Sequence, residues 1–388
     1  MRSRLLLSLV MALAGCASLP DVPAPTTLFA DELFKPPLRP VNGDQALAIS
    51  PAMQSYLDRE IALQVRREGG GRRGLITALY SKDQLKLEYD AGITRNAAEA
   101  FEARRGNCMA LVLMTAAFAK AMNMPVRFNS VYIEDIWSRS SNLIYVSGHV
   151  NLSLGWRIRE GNPQGFTTDV DMMTIDFVPP EQLRGQRSRV ISEDTLLAMY
   201  LNNRAAEHLE LGLIDDAYWW ARAAMLRDPH LLAAHNTLGV IYRRHGQAAL
   251  AERVFRTVLA QEPANVQTLS NLILVLKDRD AQDEAQRLGA RLAELQPNPP
   301  FKFFDEGMHA MSMGDFKTAK RLFTQEIERS AYFHEFHFWL ALANYSLGDM
   351  AEARKHLALA RDNSTTVKDR DMYAAKLDRL RAAARVLQ

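Results

Sequence analysis

Cysteine is scarce in this chain: two in 388 residues, Cys16 and Cys108. Charge of a single sign is also missing. With 47 basic against 45 acidic residues and a net charge of +2, nothing points to nucleic acid or an acidic polymer as the main partner. Long apolar runs are lacking too. The N-terminal run Leu5 to Leu13 falls far short of the roughly 20 residues that a bilayer-spanning helix requires. From about Glu193 onward there is no strand signal. At this length one core is not enough, so two or three domains are expected.

What is present begins with MRSRLLLSLVMALAGC, where Arg2 and Arg4 precede the apolar run and small residues lead to Cys16. That order is a secretory signal. Leu13-Ala14-Gly15-Cys16 resembles the lipobox of bacterial lipoproteins. The resemblance implies a signal peptide of residues 1–16, acylation of Cys16, and a membrane partner through the lipid. An ordinary cleaved signal with an unmodified Cys16 is the alternative. Ala17 after the cysteine resembles lipoproteins that move to the outer membrane, which implies the periplasmic face of that membrane. Residues 17–45 carry Pro20, Pro23, Pro25, Pro36, Pro37 and Pro40 without a sustained period, so they read as an extended tether.

Cys108 would then be the sole thiol in an oxidising compartment, where an unpaired cysteine is a liability unless kept for reactivity. The stretch Thr94 to Met124 reads as two short helices joined at Gly106-Asn107, with Cys108 first in the second helix. The unpaired backbone N–H groups and the dipole of a helix start favour thiolate over thiol. A small buried hydrophobe is the competing reading.

Around this stretch, residues 46–190 read as one α+β domain. Ala46 to Arg67 has helical apolar spacing through Met53, Tyr56, Leu57, Ile61 and Val65. The glycines of GGGRRG match a dinucleotide loop only in part, because no strand precedes them, so they read as a mobile basic turn before a helix at Leu75 to Leu79. No cofactor is expected. Val126 to Ile133 and Asn142 to Leu154 read as strands, with His149, Asn151 and Ser153 on the polar face of the second. Trp156 to Gly165 reads as a reversal, and a further strand runs from Met173 to Val178.

Gly106-Asn107-Cys108, Gly148-His149-Val150 and Thr174-Ile175-Asp176-Phe177-Val178-Pro179, in that order, resemble the motifs of a transglutaminase-like domain, a member of the papain-like cysteine enzymes. The resemblance implies a catalytic Cys108, His149 and Asp176. The thiolate attacks a carbonyl, the imidazole carries the proton to the leaving group, and the carboxylate fixes the tautomer. Asp169 and Asp171 compete with Asp176 for the third role. Met109 stands where an aromatic residue often follows the nucleophile, and spacing alone assigns no upstream oxyanion donor.

Beyond this domain the chain repeats. Ala217, Ala251, Ala285, Ala319 and Ala353 recur every 34 residues, as do Pro229, Pro263 and Pro297. Gly212, Gly246, Gly314 and Gly348 hold one phase, with Asp280 in the remaining slot. This period resembles that of tetratricopeptide proteins and implies five repeats over residues 198–365, an all-α solenoid, with a capping helix in 366–388. Such stacks form a concave groove for a peptide or protein partner, and Asn202, Asn203, Asn236 and Asn271 are candidate groove residues. His334 and His337 lack a nearby third ligand, so they read as groove or packing residues and no metal is expected.

The expected protein is an envelope lipoprotein with a papain-like, transglutaminase-like domain and a tetratricopeptide solenoid. Its expected activity is thiol-dependent acyl transfer on peptide amides, as a cysteine peptidase or amidase or a transamidase. The alternative is a non-catalytic adaptor in which both parts serve only protein–protein interaction.

Overall fold

The computed structural model describes residues 25–81, 83–132, 137–140, 143–146, 148–155, 171–177 and 187–386. The signal, Cys16, Asp169 and the reversal expected at Trp156 to Gly165 lie outside them. Among the described residues no helix is long and apolar enough to cross a membrane.

The first half opens with α1 (Pro51–Tyr56), a π turn over Leu57–Ile61, α2 (Ala62–Glu68) and α3 (Gly71–Tyr80). Ser50 accepts from the Met53 N–H, and Pro51 at the first helical position needs no partner for a missing donor. GGGRRG is therefore not a mobile turn: Gly71 to Gly74 form the first turn of α3. The reason is packing, since a Cβ on Gly74 would stand 2.5 Å from the Val65 backbone. Only glycine lets α2 and α3 approach this closely.

Next come β1 (Glu88–Tyr89), α4 (Ala97–Ala103), β2 (Arg105–Gly106) and α5 (Cys108–Ala121). Asn96 and Glu99 close a capping box on α4. β1 pairs with β2 in parallel, which sets Tyr89 beside Gly106. Helix α5 is buried almost throughout and lies against an antiparallel sheet. In chain order the strands are β3 (Val126–Tyr132), β4 (Trp137–Ser140), β5 (Leu143–Val146), β6 (His149–Gly155), β7 (Met172–Ile175) and β8 (Arg187–Ile191). The sheet runs β7-β6-β3-β8, while β4 and β5 pair separately. The single strand expected over Asn142 to Leu154 is thus two strands in different sheets. Val150, Leu152 and Leu154 join the α5 core, and the alternate residues of β6 form the polar face.

The second half is a run of antiparallel helix pairs: α6 (Glu193–Glu210) with α7 (Ile214–Arg227), and α8 (Leu232–Arg244) with α9 (Ala248–Gln261). There follow α10 (Val266–Asp278) with α11 (Gln282–Leu295), α12 (Lys302–Ser312) with α13 (Phe316–Arg329), and α14 (His334–Ser346) with α15 (Met350–Asp362). Helix α16 (Val367–Val386) closes the stack. The five periodic alanines are all buried. Within pairs the contact is tight: a Cβ on Gly239 would meet the Phe255 ring at 2.4 Å. At the turns, Gly212, Gly246, Gly314 and Gly348 take positive φ, and Asp280 takes φ 58° in the third of the five.

The proline-rich segment is not a free tether where it is described. Residues 25–47 form short 3-10 turns, and Leu28, Ala30, Phe34 and Ala46 are buried. Phe34 stacks on Tyr218 at 3.9 Å and 4°. Tyr242 Oη donates to the Leu28 carbonyl at 2.7 Å, and Asp216 accepts the Leu38 N–H at 2.8 Å. Prolines removed some backbone donors, but the remaining polar groups find partners on α7, α8 and α9. Composition cannot reveal that fit.

Candidate functional site

Three elements converge at Cys108. The thiol begins α5, where Asn107 caps the helix by accepting the Ala110 N–H at 3.0 Å. His149 begins β6, and its Nε2 lies 2.7 Å from Asp176 Oδ1, just past the end of β7. With Nε2 so engaged, Nδ1 is the ring nitrogen left for the Cys108 side chain, which lies close enough to influence the imidazole. The structure therefore brings Cys108 beside a hydrogen-bonded pair of His149 and Asp176. Asp171 does not join it: its carboxylate pairs with Arg72 at 2.6 Å.

The sheet register explains the choice of aspartate. Leu152 faces Ile175, so continuing the ladder sets Asp176 across from Asn151. Asn151 Nδ2 donates to Asp176 Oδ2 at 2.7 Å, and the Phe177 N–H donates to Oδ1 at 2.7 Å. Behind Asn151, Asn129 Nδ2 donates to Asn151 Oδ1 and to Ser153 Oγ, and Ser153 meets Thr174 at 2.9 Å. A largely covered carboxylate is costly unless it accepts several hydrogen bonds, and Asp176, its side chain 13% exposed, receives them from this ladder.

Electrostatics follow from the same contacts. Burial pushes the His149 imidazole down, yet its hydrogen bond to Asp176 and the nearby Cys108 outweigh that and raise it from 6.5 to about 9. His149 is only 3% exposed and Cys108 9%. Tyr89, which has no motif to announce it, borders Cys108. Burial, then the nearby Cys108, pushes its phenol upward. Met109 is buried in the α5 core rather than lining an open wall.

The repeat surface is the second candidate. Asn236 accepts from Thr268 Oγ1 at 3.2 Å and from Asn271 Nδ2 at 3.1 Å, so this pair ties α8 to α10. Asn202 Oδ1 is buried without a hydrogen-bond partner among the described residues, and Asn203 is half-buried. The N-terminal segment covers part of α7, α8 and α9. Farther along, a groove of about 650 Å³ opens between α12 and α13, lined by Asp305, Glu306, His309, Met313, Asp315 and Arg321. His334 Nδ1 meets Tyr373 Oη at 3.0 Å, and His337 Nδ1 meets His356 Nδ1 at 3.0 Å. Among the described residues no cluster of three or more His, Cys, Asp or Glu is set to hold a metal.

The tetratricopeptide repeat family matches residues 304–366. These repeats are tetratricopeptide repeats. No curated protein matches the chain. Among solved structures, the chain is similar to MamA protein, at 18% identity over 45% of this chain and 93% of that one, with a TM-score of 0.25. It is similar to YrrB, described as a TPR protein with an unusual peptide-binding site, at 19% identity over 46% and 92%, TM-score 0.25. It is also similar to Pseudomonas aeruginosa PilF, at 19% identity over 47% and 91%, TM-score 0.27. The repeat assignment rests on the family match and on the helix pairs, not on these likenesses.

Proposed function

We propose that this protein is a protein-binding scaffold that takes an extended peptide or protein segment on its repeat stack. The observation that carries the reading is the stack's own occupant. Residues 25–38 lie extended or in short turns across α7, α8 and α9, held by a stacked ring and by backbone hydrogen bonds to Asp215, Asp216, Tyr218 and Tyr242. A surface that satisfies an extended backbone in this way is chemically fitted for peptide recognition. The groove between α12 and α13 remains open, and Asp305, Glu306 and Asp315 around it favour a basic segment. Selection of peptides from a random library by the full chain tests this. Basic sequences should be enriched and lose binding to Asp305→Lys. Enrichment of nothing, or of peptides indifferent to that substitution, overturns the reading.

A second reading is favoured by one specific observation, the placement of Cys108 beside the hydrogen-bonded pair of His149 and Asp176. Here the papain-like, transglutaminase-like domain would perform acyl transfer on a peptide amide delivered by the repeats. Cys108 Sγ forms a bond to the amide carbon, and the C–N bond breaks as His149 Nδ1 gives its proton to the departing amine. Water, or a second amine, then attacks the thioester, and the thiol is released with its proton returned through His149. The raised imidazole suits the acid step at neutral pH. Asp176 orients the imidazole through Oδ1 while Asn151 and the Phe177 N–H hold the carboxylate in place. Membrane attachment through acylated Cys16, at the periplasmic face of an outer membrane, belongs to both readings as a proposal. Iodoacetamide labelling in a Cys16→Ser background separates them. Labelling of Cys108 that persists at pH 6 and is lost in His149→Ala favours acyl transfer, and labelling indifferent to His149 leaves the scaffold alone.

A further inference from the structure

The loop between β1 and α4 is held by the repeat stack at both of its ends. From the first repeat helix, α6, Glu207 Oε1 accepts the Thr94 N–H at 2.7 Å, and Arg204 Nη1 donates to the Thr94 carbonyl at 3.0 Å. From the far end, the carbonyl of Thr365, in the turn between α15 and α16, accepts the Ala91 N–H at 2.8 Å. The same loop reaches the thiol. Asn107 Nδ2 donates to Thr94 Oγ1 at 2.8 Å.

These bonds all run in one direction. Glu207 accepts from the Thr94 N–H, and the Thr94 hydroxyl oxygen accepts from the Asn107 amide. An Asn107 side chain committed at its nitrogen has one orientation left, with Oδ1 on the Ala110 N–H. That is the cap of the helix on which Cys108 is the first residue. Thr94 is 2% exposed, so no solvent competes for these bonds.

We infer that Thr94 is a positioning residue that ties the first repeat helix to the cap of α5, so that the repeat stack sets the reactivity of Cys108. The inference rests on the thiol-transfer reading. Thr94 touches no reacting atom. It acts by holding Asn107, whose cap keeps the first-turn N–H groups of α5 aimed at the sulfur and at any oxyanion formed beside it. Because Glu207 and Arg204 belong to α6, a partner that shifts this helix shifts the cap with it.

The test is the pH profile of iodoacetamide alkylation at Cys108, read by mass spectrometry on the full chain carrying Cys16→Ser. Thr94→Val keeps the shape and removes the hydroxyl. It should slow alkylation at pH 7 about fivefold, the size expected for one lost hydrogen bond, and move the acid limb of the profile to higher pH. Thr94→Ser should restore the rate. Glu207→Gln, which leaves Thr94 and Asn107 intact, should move the profile in the same direction and covers the case in which Thr94→Val fails to fold. Unchanged alkylation in Glu207→Gln and Thr94→Val, or a Thr94→Ser variant no better than Thr94→Val, overturns the inference. Failure of the underlying reading looks different: wild-type alkylation would then be indifferent to His149→Ala.

Discussion

Replacing His149 by Gln removes an imidazole that the fold holds in its charged form, and the consequence should depend on pH in a defined way. Folded, the group titrates near 9, whereas an ordinary histidine does so near 6.5. A group raised in the folded state contributes stability that is complete below pH 6.5 and is lost as pH climbs through about 9. The difference of about 2.5 pH units, at 1.36 kcal/mol each, corresponds to about 3 kcal/mol, an order-of-magnitude value. Urea unfolding of the Cys16→Ser protein and of its His149→Gln variant at pH 6.0, 7.5 and 9.5 measures it. Because other groups titrate in both proteins, the informative quantity is their difference in stability at each pH. That difference should favour the histidine protein most at pH 6.0 and shrink by roughly 3 kcal/mol at pH 9.5. A difference that stays flat, or that grows with pH, would refute the placement of a charged imidazole between Asp176 and Cys108.

Two further outcomes follow from the packing. Phe34→Ala deletes a ring 6% exposed that stacks on Tyr218 and also meets His245 at 4.5 Å. The expected loss is about 3 kcal/mol by urea unfolding, unless the segment undocks first, in which case chymotrypsin should cleave after Phe29 while the repeats stay folded. Gly239→Ala places a Cβ 2.4 Å from the buried Phe255 ring, so the overpacking cost of about 1–3 kcal/mol should exceed the gain in helix propensity. A melting temperature that rises in this variant would contradict the close approach of α8 and α9.

Much of the repeat half was legible because its signals are local and recur. Small residues at a fixed spacing let helices pair wherever they occur, so Ala217 and its counterparts announce the stack without any knowledge of its curvature. The helix start at Cys108 was legible for a similar reason: Asn107 caps the helix directly before the thiol, although the chain between the two helices caps α4 at Arg104 and forms β2 rather than a simple Gly106-Asn107 turn. Asp280 at positive φ occupies the slot that the glycine phase marks, since aspartate tolerates the left-handed region better than most residues.

The neighbourhood of the thiol was legible only in part. His149 and Asn151 share a strand face by simple alternation, but alternation does not say which aspartate lies across from them. Sheet register brought Asp176 there and left Asp171 to Arg72. Tyr89 and Thr94 carry no pattern at all, and each reaches the site through contacts made by residues distant in the chain.

The sequence by itself determined the periodic architecture, the helix start that carries Cys108 and the polar face that carries His149, because each is encoded within a few residues or by repetition. Tertiary structure alone decided the rest: which carboxylate meets the imidazole, that the proline-rich segment docks on α7 to α9, and that both ends of the repeat stack hold the loop before α4. Those outcomes depend on strand register, ring complementarity and hydrogen bonds between residues more than a hundred positions apart, none of which has a local signature.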